Sequence, residues 1–173
     1  IAAIWEGTTG IQALDLLGRK IFKRKEEMKA IKVHCKHLRE FASKYMFSGA
    51  TPEIKSHART LYYKAWEWEI MTYGIGSRAV KDRNLVGVVS VDYLMYSGHV
   101  TLAAQWLRME VAANEQIKEG KGEKEFYDSK IQISDYVFKH MLPRTNSLSK
   151  MIWSLFPSIM NLKFGQFSYD HAL

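Results

Sequence analysis

Residues 48–54 read Ser48-Gly49-Ala50-Thr51-Pro52-Glu53-Ile54, and this stretch decides the fold. The small residues before Thr51 are typical of a helix end, because glycine tolerates the left-handed backbone found there. Thr51 is a good helix N-cap, and Pro52 suits the first helical position, where no backbone N–H is needed. The stretch therefore predicts a tight connection between two helices.

Outside this connection, apolar residues recur at helical spacing along most of the chain. The first predicted helix is capped by Thr8 or Thr9 and buries a stripe of four residues: Ile11, Leu14, Leu17 and Ile21. The pattern predicts five more helices, over residues 26–46, 52–81, 85–118, 123–141 and 147–155, and an irregular tail over residues 158–173. Helices joined by short connections indicate an all-α fold, an antiparallel bundle of about five or six helices.

The composition fits a helical globular domain. The 173 residues are 47% hydrophobic and 25% charged, which excludes a disordered or low-complexity chain. Only 3 prolines and 11 glycines interrupt the helical pattern. The single cysteine, Cys35, excludes an intramolecular disulfide framework and an all-cysteine metal site.

The chain is basic, with a formal net charge of +7, which could suit nucleic acid, anionic lipid or an anionic substrate. The only dense basic run, residues 20–25, is followed by two glutamates and indicates a solvated linker and helix start, with phosphate or lipid contact as the alternative. No aromatic-and-basic nucleic-acid motif is found, so no nucleic-acid partner is expected. Residues 85–107 are apolar enough to suggest a membrane span, but Asp92 favours a buried helix, since a central aspartate costs about 3 kcal/mol in a bilayer.

The most specific motif covers residues 4–20 and reads Ile4-Trp5-Glu6-Gly7-Thr8-Thr9-Gly10-Ile11-Gln12-Ala13-Leu14-Asp15-Leu16-Leu17-Gly18-Arg19-Lys20. It resembles the acyl-CoA dehydrogenase family, whose signature is an aromatic residue, Glu-Gly-Thr, two variable positions and Ile-Gln at a helix start. Residues 92–100 and 106–109 look like the extra C-terminal domain of a bacterial-type branch of that family. The resemblance implies that residues 1–22 end the dehydrogenase C-terminal helical domain and that residues 26–173 form an additional helical bundle domain.

The resemblance also implies a reaction, the oxidation of acyl-CoA to trans-2-enoyl-CoA by α-proton abstraction and hydride transfer to FAD. Such chemistry needs an ionised carboxylate on a dry, fixed loop. By direct match to the family, Glu6 is that catalytic base, and Trp5, which stands where the family usually has tyrosine, contacts substrate together with Gly7. The family assigns three further positions to FAD binding: Thr8, Thr9 and Gly10.

As implied by the same resemblance, the expected partners are the acyl-CoA substrate, an electron-transfer flavoprotein and further copies of the chain. The expected process is fatty acid β-oxidation, in the mitochondrial matrix or in the cytoplasm of a bacterium. Ile1 at the start indicates a truncation, and the fragment alone is expected to be inactive because most of the flavin site would lie upstream. Residues 151–156 in the tail region suggest peripheral membrane contact, with docking onto the bundle as the alternative.

Two function classes compete with the enzyme. A catalytically silent dehydrogenase-like protein could serve as a scaffold or assembly subunit of a larger membrane-associated complex, but retention of Glu6 favours the enzyme. A free-standing helical binding module is disfavoured by the apolar, motif-bearing start at Ile1.

Three other groups of side chains have structural interpretations. His34, Cys35 and His37 are close in sequence, but no three ligands share a helix face, so surface histidines are expected and no metal site. Residues Asp92, Tyr96 and His99 share one face and predict a hydrogen-bonded core cluster, with a polar contact toward the flavin domain as the alternative. Three tryptophans are expected in the core rather than against a cofactor: Trp66, Trp68 and Trp106.

Overall fold

The structure is a computed structural model that describes residues 7–23, 27–154 and 162–166. Six α-helices follow one another in this part of the chain: α1 (Thr9–Leu14), α2 (Glu27–Met46), α3 (Pro52–Ala79), α4 (Asn84–Lys118), α5 (Lys124–Tyr136) and α6 (Arg144–Ser154). Two are extended by π-helix, α1 by Asp15–Lys23 and α5 by Val137–Met141, and a 3₁₀ turn covers Phe164–Gln166. The described residues contain no strand, and the prediction of an all-α helical bundle is confirmed.

The connection around Thr51 forms as the sequence predicts. The Thr51 hydroxyl accepts a hydrogen bond from the backbone N–H of Ile54 at 3.3 Å, and Pro52 occupies the first helical position. The connection before α6 is shorter than expected, because only the turn residues Leu142 and Pro143 separate the second π-helix from α6. As a result α6 begins at Arg144 rather than at Ser147, since proline is well suited to a helix start.

The longest helix, α4, organises the bundle. Its 35 residues pack against α1, the first π-helix, α3, α5 and α6, while α2 packs against α3. Large side chains from the two longest helices are completely buried between them: Leu61, Met71, Tyr93, Tyr96 and Leu107. By length and composition alone α4 could cross a membrane, but core helices of soluble proteins meet the same test, and 39% of its apolar window is buried.

The stripe predicted for the first helix is wrong in its N-terminal half. Ile11 and Leu14 are 65% and 47% exposed, whereas Ala13, Leu17 and Ile21 are buried. The reason is the π-helix over Asp15–Lys23, whose wider turns bring every fourth residue to the same face. The buried line therefore runs through residues 13, 17 and 21.

Candidate functional site

The predicted catalytic segment is only partly described. Trp5 and Glu6 lie outside the described residues, so their roles stay predictions. Gly7 has a φ angle of +89°, a left-handed backbone that residues with a side chain rarely adopt. A Cβ added there would meet no atom within 4 Å, so the backbone conformation, and not lack of space, makes glycine suitable.

The start of α1 presents backbone N–H groups that lack an intrahelical acceptor. Thr8 is the extended N-cap residue, its side chain makes no cap hydrogen bond, and the first helical bond runs from Gln12 N–H to Thr8 O at 3.1 Å. The backbone N–H groups of the three residues between them therefore have no intrahelical acceptor. Thr8 and Thr9 are exposed and Gly10 is half-buried. Such N–H groups at a helix N-terminus favour a bound anion.

Buried side chains fix this segment to the bundle. Leu17 is completely buried and Ile21 is 5% exposed, and both belong to the main hydrophobic core. Phe22 lies so close to α3 that a Cβ added to Gly76 would be 3.0 Å from its ring. On the exposed side, Arg19 pairs with Asp15 through two hydrogen bonds. Hydrogen bonding by Arg19 is the main reason that the pKa of Asp15 is lowered. The π-helix thus positions the residues at the start of α1.

A buried cluster that the sequence did not reveal joins α3, α4 and α5. His57 Nδ1 lies 2.9 Å from Glu110 Oε2, and the Ser134 hydroxyl donates to the same oxygen at 2.7 Å. The His57 ring also stacks on Phe138 with centroids 4.2 Å apart. Serine, histidine and a carboxylate occur in hydrolase triads, but there the histidine accepts the serine proton. Here Ser134 donates to Glu110 instead, and it is completely buried, so the cluster does not have the arrangement of a hydrolase triad. Its hydrogen bonds link α3, α4 and α5.

A second polar cluster corrects the prediction for Asp92, Tyr96 and His99. Tyr96 is buried, and its hydroxyl contacts Glu67 Oε2 on α3 at 2.9 Å rather than either of the two other residues. Ser149 on α6 and Lys64 also bond to the Glu67 carboxylate. Burial acts to raise the pKa of Glu67, but these hydrogen bonds outweigh it and lower the pKa.

Asp92 and His99 are only half-buried. Burial raises the pKa of Asp92 and lowers that of His99, where the charge of Arg144 adds to the effect. In the described part of the chain neither side chain forms a hydrogen bond with Tyr96. The three residues share a helix face without forming the expected cluster.

The histidines near Cys35 lie apart from its thiol. Cys35 is completely buried, whereas His34 and His37 are exposed, so the three side chains do not converge. His34 packs edge-to-face against the Trp68 ring at 5.4 Å, and burial lowers its pKa. Within the described ranges, no group of three histidine, cysteine or acidic side chains could hold a metal ion.

The tryptophans divide between core and surface. Trp68 is 5% exposed, and its indole N–H donates to the Tyr93 hydroxyl at 2.9 Å, as expected for a core residue. Trp106 is partly buried against the core. Trp66 is 40% exposed, so its predicted place in the core is wrong. Its ring instead lies under the Arg39 guanidinium, 4.0 Å from the ring centroid.

Comparison with known families identifies the class of protein that this bundle represents. It is the C-terminal helical region of an acyl-CoA dehydrogenase-like protein. The family described as Acetyl-CoA dehydrogenase C-terminal like matches residues 28–163. The chain belongs to this family, which confirms the resemblance drawn from the sequence. A comparison with curated proteins found no match.

Proposed function

We propose that the chain is the C-terminal region of an FAD-dependent acyl-CoA dehydrogenase that oxidises acyl-CoA to trans-2-enoyl-CoA. Membership of the acetyl-CoA dehydrogenase C-terminal-like family is the observation that carries this proposal. The matched residues begin at position 28, after the Glu-Gly-Thr motif.

In this proposal each residue of the motif has a separate task. Glu6 takes the α-proton as an ionised carboxylate, and Trp5 walls the acyl pocket and keeps water out. The left-handed backbone at Gly7 supports a close approach to the thioester. Bound FAD would supply the hydride acceptor. Its pyrophosphate would be held at the start of α1, by the exposed hydroxyl groups of Thr8 and Thr9 and by the backbone N–H groups of Thr9 and the half-buried Gly10.

The wider setting of the enzyme is part of the proposal. Electrons would pass to an electron-transfer flavoprotein, and the reaction would belong to fatty acid β-oxidation in a mitochondrial matrix or a bacterial cytoplasm. Three residues at one helix start cannot hold a whole dinucleotide. We therefore expect turnover only in a polypeptide that also supplies the rest of the flavin site, and none from the 173 residues alone.

Flavin reduction tests the proposal directly. Acyl-CoAs are added anaerobically to the dehydrogenase polypeptide that contains this chain, and the bleaching of the flavin absorbance is followed. Glu6→Gln should slow bleaching by about 10²- to 10⁴-fold with the flavin content unchanged. Asp15→Asn is the matched control, because this carboxylate lies in the same segment but pairs with Arg19. A colourless parent, or a Glu6→Gln variant that bleaches as fast as the parent, contradicts the mechanism.

A scaffold function is the second candidate, because the outer face of α3 exposes a row of large side chains. Tyr63, Trp66, Ile70 and Tyr73 are between 40% and 62% exposed at helical spacing. Aromatic residues are enriched at protein interfaces. A silent assembly subunit of a membrane-associated complex would lose assembly on Trp66→Ala and would be indifferent to Glu6→Gln. Membrane contact through residues 151–156 also stays a proposal, supported by Met151, which is 48% exposed. The Trp153 ring lies against Gly74 of α3, which favours the alternative of docking onto the bundle.

A further inference from the structure

Helix α6 is tied to α3 through the carboxylate of Glu67. The Ser149 hydroxyl on α6 donates a hydrogen bond to Glu67 Oε1. Lys64 donates to Glu67 Oε2 at 2.6 Å and, with the same ammonium group, to Asn146 Oδ1 on α6 at 2.8 Å. The Tyr96 hydroxyl of α4 completes the group, 2.9 Å from Glu67 Oε2. Both of the hydrogen bonds described between α3 and α6 therefore depend on Glu67, which accepts one directly and holds Lys64 in place for the other.

A second ionisable side chain faces α6 from α4. Burial lowers the pKa of the half-buried His99, and the positive charge of Arg144, the first residue of α6, lowers it further. A protonated His99 would place two like charges between α4 and α6, which is unfavourable. Neither ionisable group is closed off from solvent, and the Glu67 side chain is 31% exposed. Both can therefore exchange protons while the bundle stays folded.

We propose that α6 is an acid-sensitive latch, which stays docked while Glu67 is ionised and His99 is neutral and which detaches from α3 and α4 once these groups take up protons. The proposal does not depend on the proposed function. Protonation of Glu67 leaves the Lys64 ammonium group without its counter-charge, and hydrogen bonds that involve ionised groups are about twice as strong as neutral ones. The polar link between α3 and α6 would then be weak.

The two groups act in the same direction. Burial acts to raise the pKa of Glu67, but the hydrogen bonds that it accepts outweigh burial and hold the pKa below the ordinary value of 4.5. The pKa of His99 also lies below its ordinary value, which is 6.5. Detachment of α6 removes Ser149 and Arg144 and lets both pKa values rise, so the detached state binds protons more readily. The docked state therefore has its full stability above pH 6.5 and loses it as the pH falls, first through His99 and then through Glu67.

The far end of α6 is held by packing that does not titrate. Ile152 is completely buried, and the Trp153 ring lies against Gly74 of α3, where an added Cβ would be 2.7 Å from the ring. Detachment therefore exposes Ile152 and frees the Trp153 ring. Gly74→Ala should loosen α6 equally at every pH, because the ring must move away from the new methyl group. This variant separates loosening by packing from loosening by protonation.

Amide hydrogen exchange of the 173-residue chain tests the proposal, because the protection factor of an amide reports how often its segment opens. Between about pH 7 and pH 4 the protection factors in α6 should fall about 10-fold, since one extra proton bound on opening favours the open state by up to about 10-fold per pH unit. Protection in the middle of α4, around the completely buried Leu107, should fall less and serves as the reference for the whole bundle. Protection in α6 that stays constant, or that falls no more than in α4, overturns the proposal.

Amide substitutions assign the effect to the two groups. The double variant Glu67→Gln/His99→Gln takes up neither proton, so its α6 should lose most of the pH dependence. The matched control is Asp92→Asn/His140→Gln, which should keep the parent's pH dependence. Asp92 is a half-buried carboxylate on α4 whose pKa is raised by burial, and His140 is exposed and stacks on the Tyr136 ring. A Glu67→Gln/His99→Gln variant with the full pH dependence of the parent overturns the proposal.

The single variant His99→Gln keeps the test decisive if the double variant does not fold, as judged by circular dichroism. It leaves the hydrogen bonds of Glu67 in place, so the docked α6 should form as in the parent. The fall in α6 protection between about pH 7 and pH 5 should disappear, because in this range the histidine supplies the proton. An unchanged fall in this range contradicts the role of His99 in the latch.

Discussion

Replacing His57 by leucine should destabilise the bundle by about 3 kcal/mol, because the buried carboxyl group of Glu110 loses one of its two hydrogen-bond partners. Glu110 is 1% exposed, and its Oε1 atom already has no hydrogen-bond partner in the described structure. The bond from His57 Nδ1 at 2.9 Å would be lost, and only the Ser134 hydroxyl at 2.7 Å would remain. Leaving a buried acceptor without its donor costs about 1–3 kcal/mol, and more for a charged group, and the lost stacking on Phe138 adds to this.

The double variant His57→Leu/Glu110→Leu makes the reasoning refutable. With both polar groups gone, no buried charge remains, and apolar side chains of similar volume are well tolerated at such sites. The Ser134 hydroxyl can then bond to the carbonyl one turn earlier in its own helix. We therefore expect the double variant to be more stable than His57→Leu alone, by about 2 kcal/mol.

Urea unfolding followed by circular dichroism measures these differences, with linear extrapolation to water. Lys36→Ala is the control, since the Lys36–Glu40 pair is exposed and should contribute less than about 1 kcal/mol. The reasoning is wrong if His57→Leu costs no more than the control. It is also wrong if the double variant is less stable than the single one.

Three further predictions rest on individual contacts. Burial raises the pKa of Cys35 from 9.0 to about 12, so stability should fall above pH 9, where the unfolded chain releases a proton that the native state keeps. The slope should be steeper in the parent than in Cys35→Ala by up to about 1.4 kcal/mol per pH unit, as checked by urea midpoints across this range. Burial also raises the pKa of Tyr93 and of Tyr96, so both proteins keep a slope at higher pH, and an equal slope in the two proteins contradicts the prediction. Thr51→Ala should cost about 1 kcal/mol in the same assay, because the N–H of Ile54 loses its cap, and no measurable loss would argue against the cap. Tyr93→Phe should cost about 1–3 kcal/mol in thermal denaturation, because the buried indole N–H of Trp68 loses its acceptor; an unchanged midpoint would show that this bond is dispensable.

Local signals explain which parts of the fold the sequence predicts. The start of α3 depends on Thr51 and Pro52, which act on their own backbone, and it forms where expected. Gly120 adopts a left-handed backbone at the end of α4, as its place in the sequence suggests. The first π-helix has no comparable local signal, because its geometry follows from the packing of Leu17 and Ile21 against other helices.

The buried polar clusters, like the first π-helix, can be predicted only in part from the sequence. His57 lies between Ile54, Ala58 and Leu61 on the apolar face of α3, and a titratable residue at such a position is a detectable signal. Its partner Glu110 is 53 positions away, so only the packing of the helices identifies the pair. For the candidate site, the sequence motif alone suggests Glu6, while the structure adds the backbone conformation of Gly7 and the N–H groups after Thr8 that lack an intrahelical acceptor.

The first π-helix also determines the direction in which the start of α1 faces. Leu17 anchors this helix, and each residue between the anchor and Thr8 turns the helix by about 100° and advances it by about 1.5 Å. A deletion of one residue at Leu16 would keep every side chain of the proposed anion site but rotate the site around the helix axis by more than a quarter turn. For the proposed anion site, the length of this segment therefore matters as much as the identity of the residues in the motif.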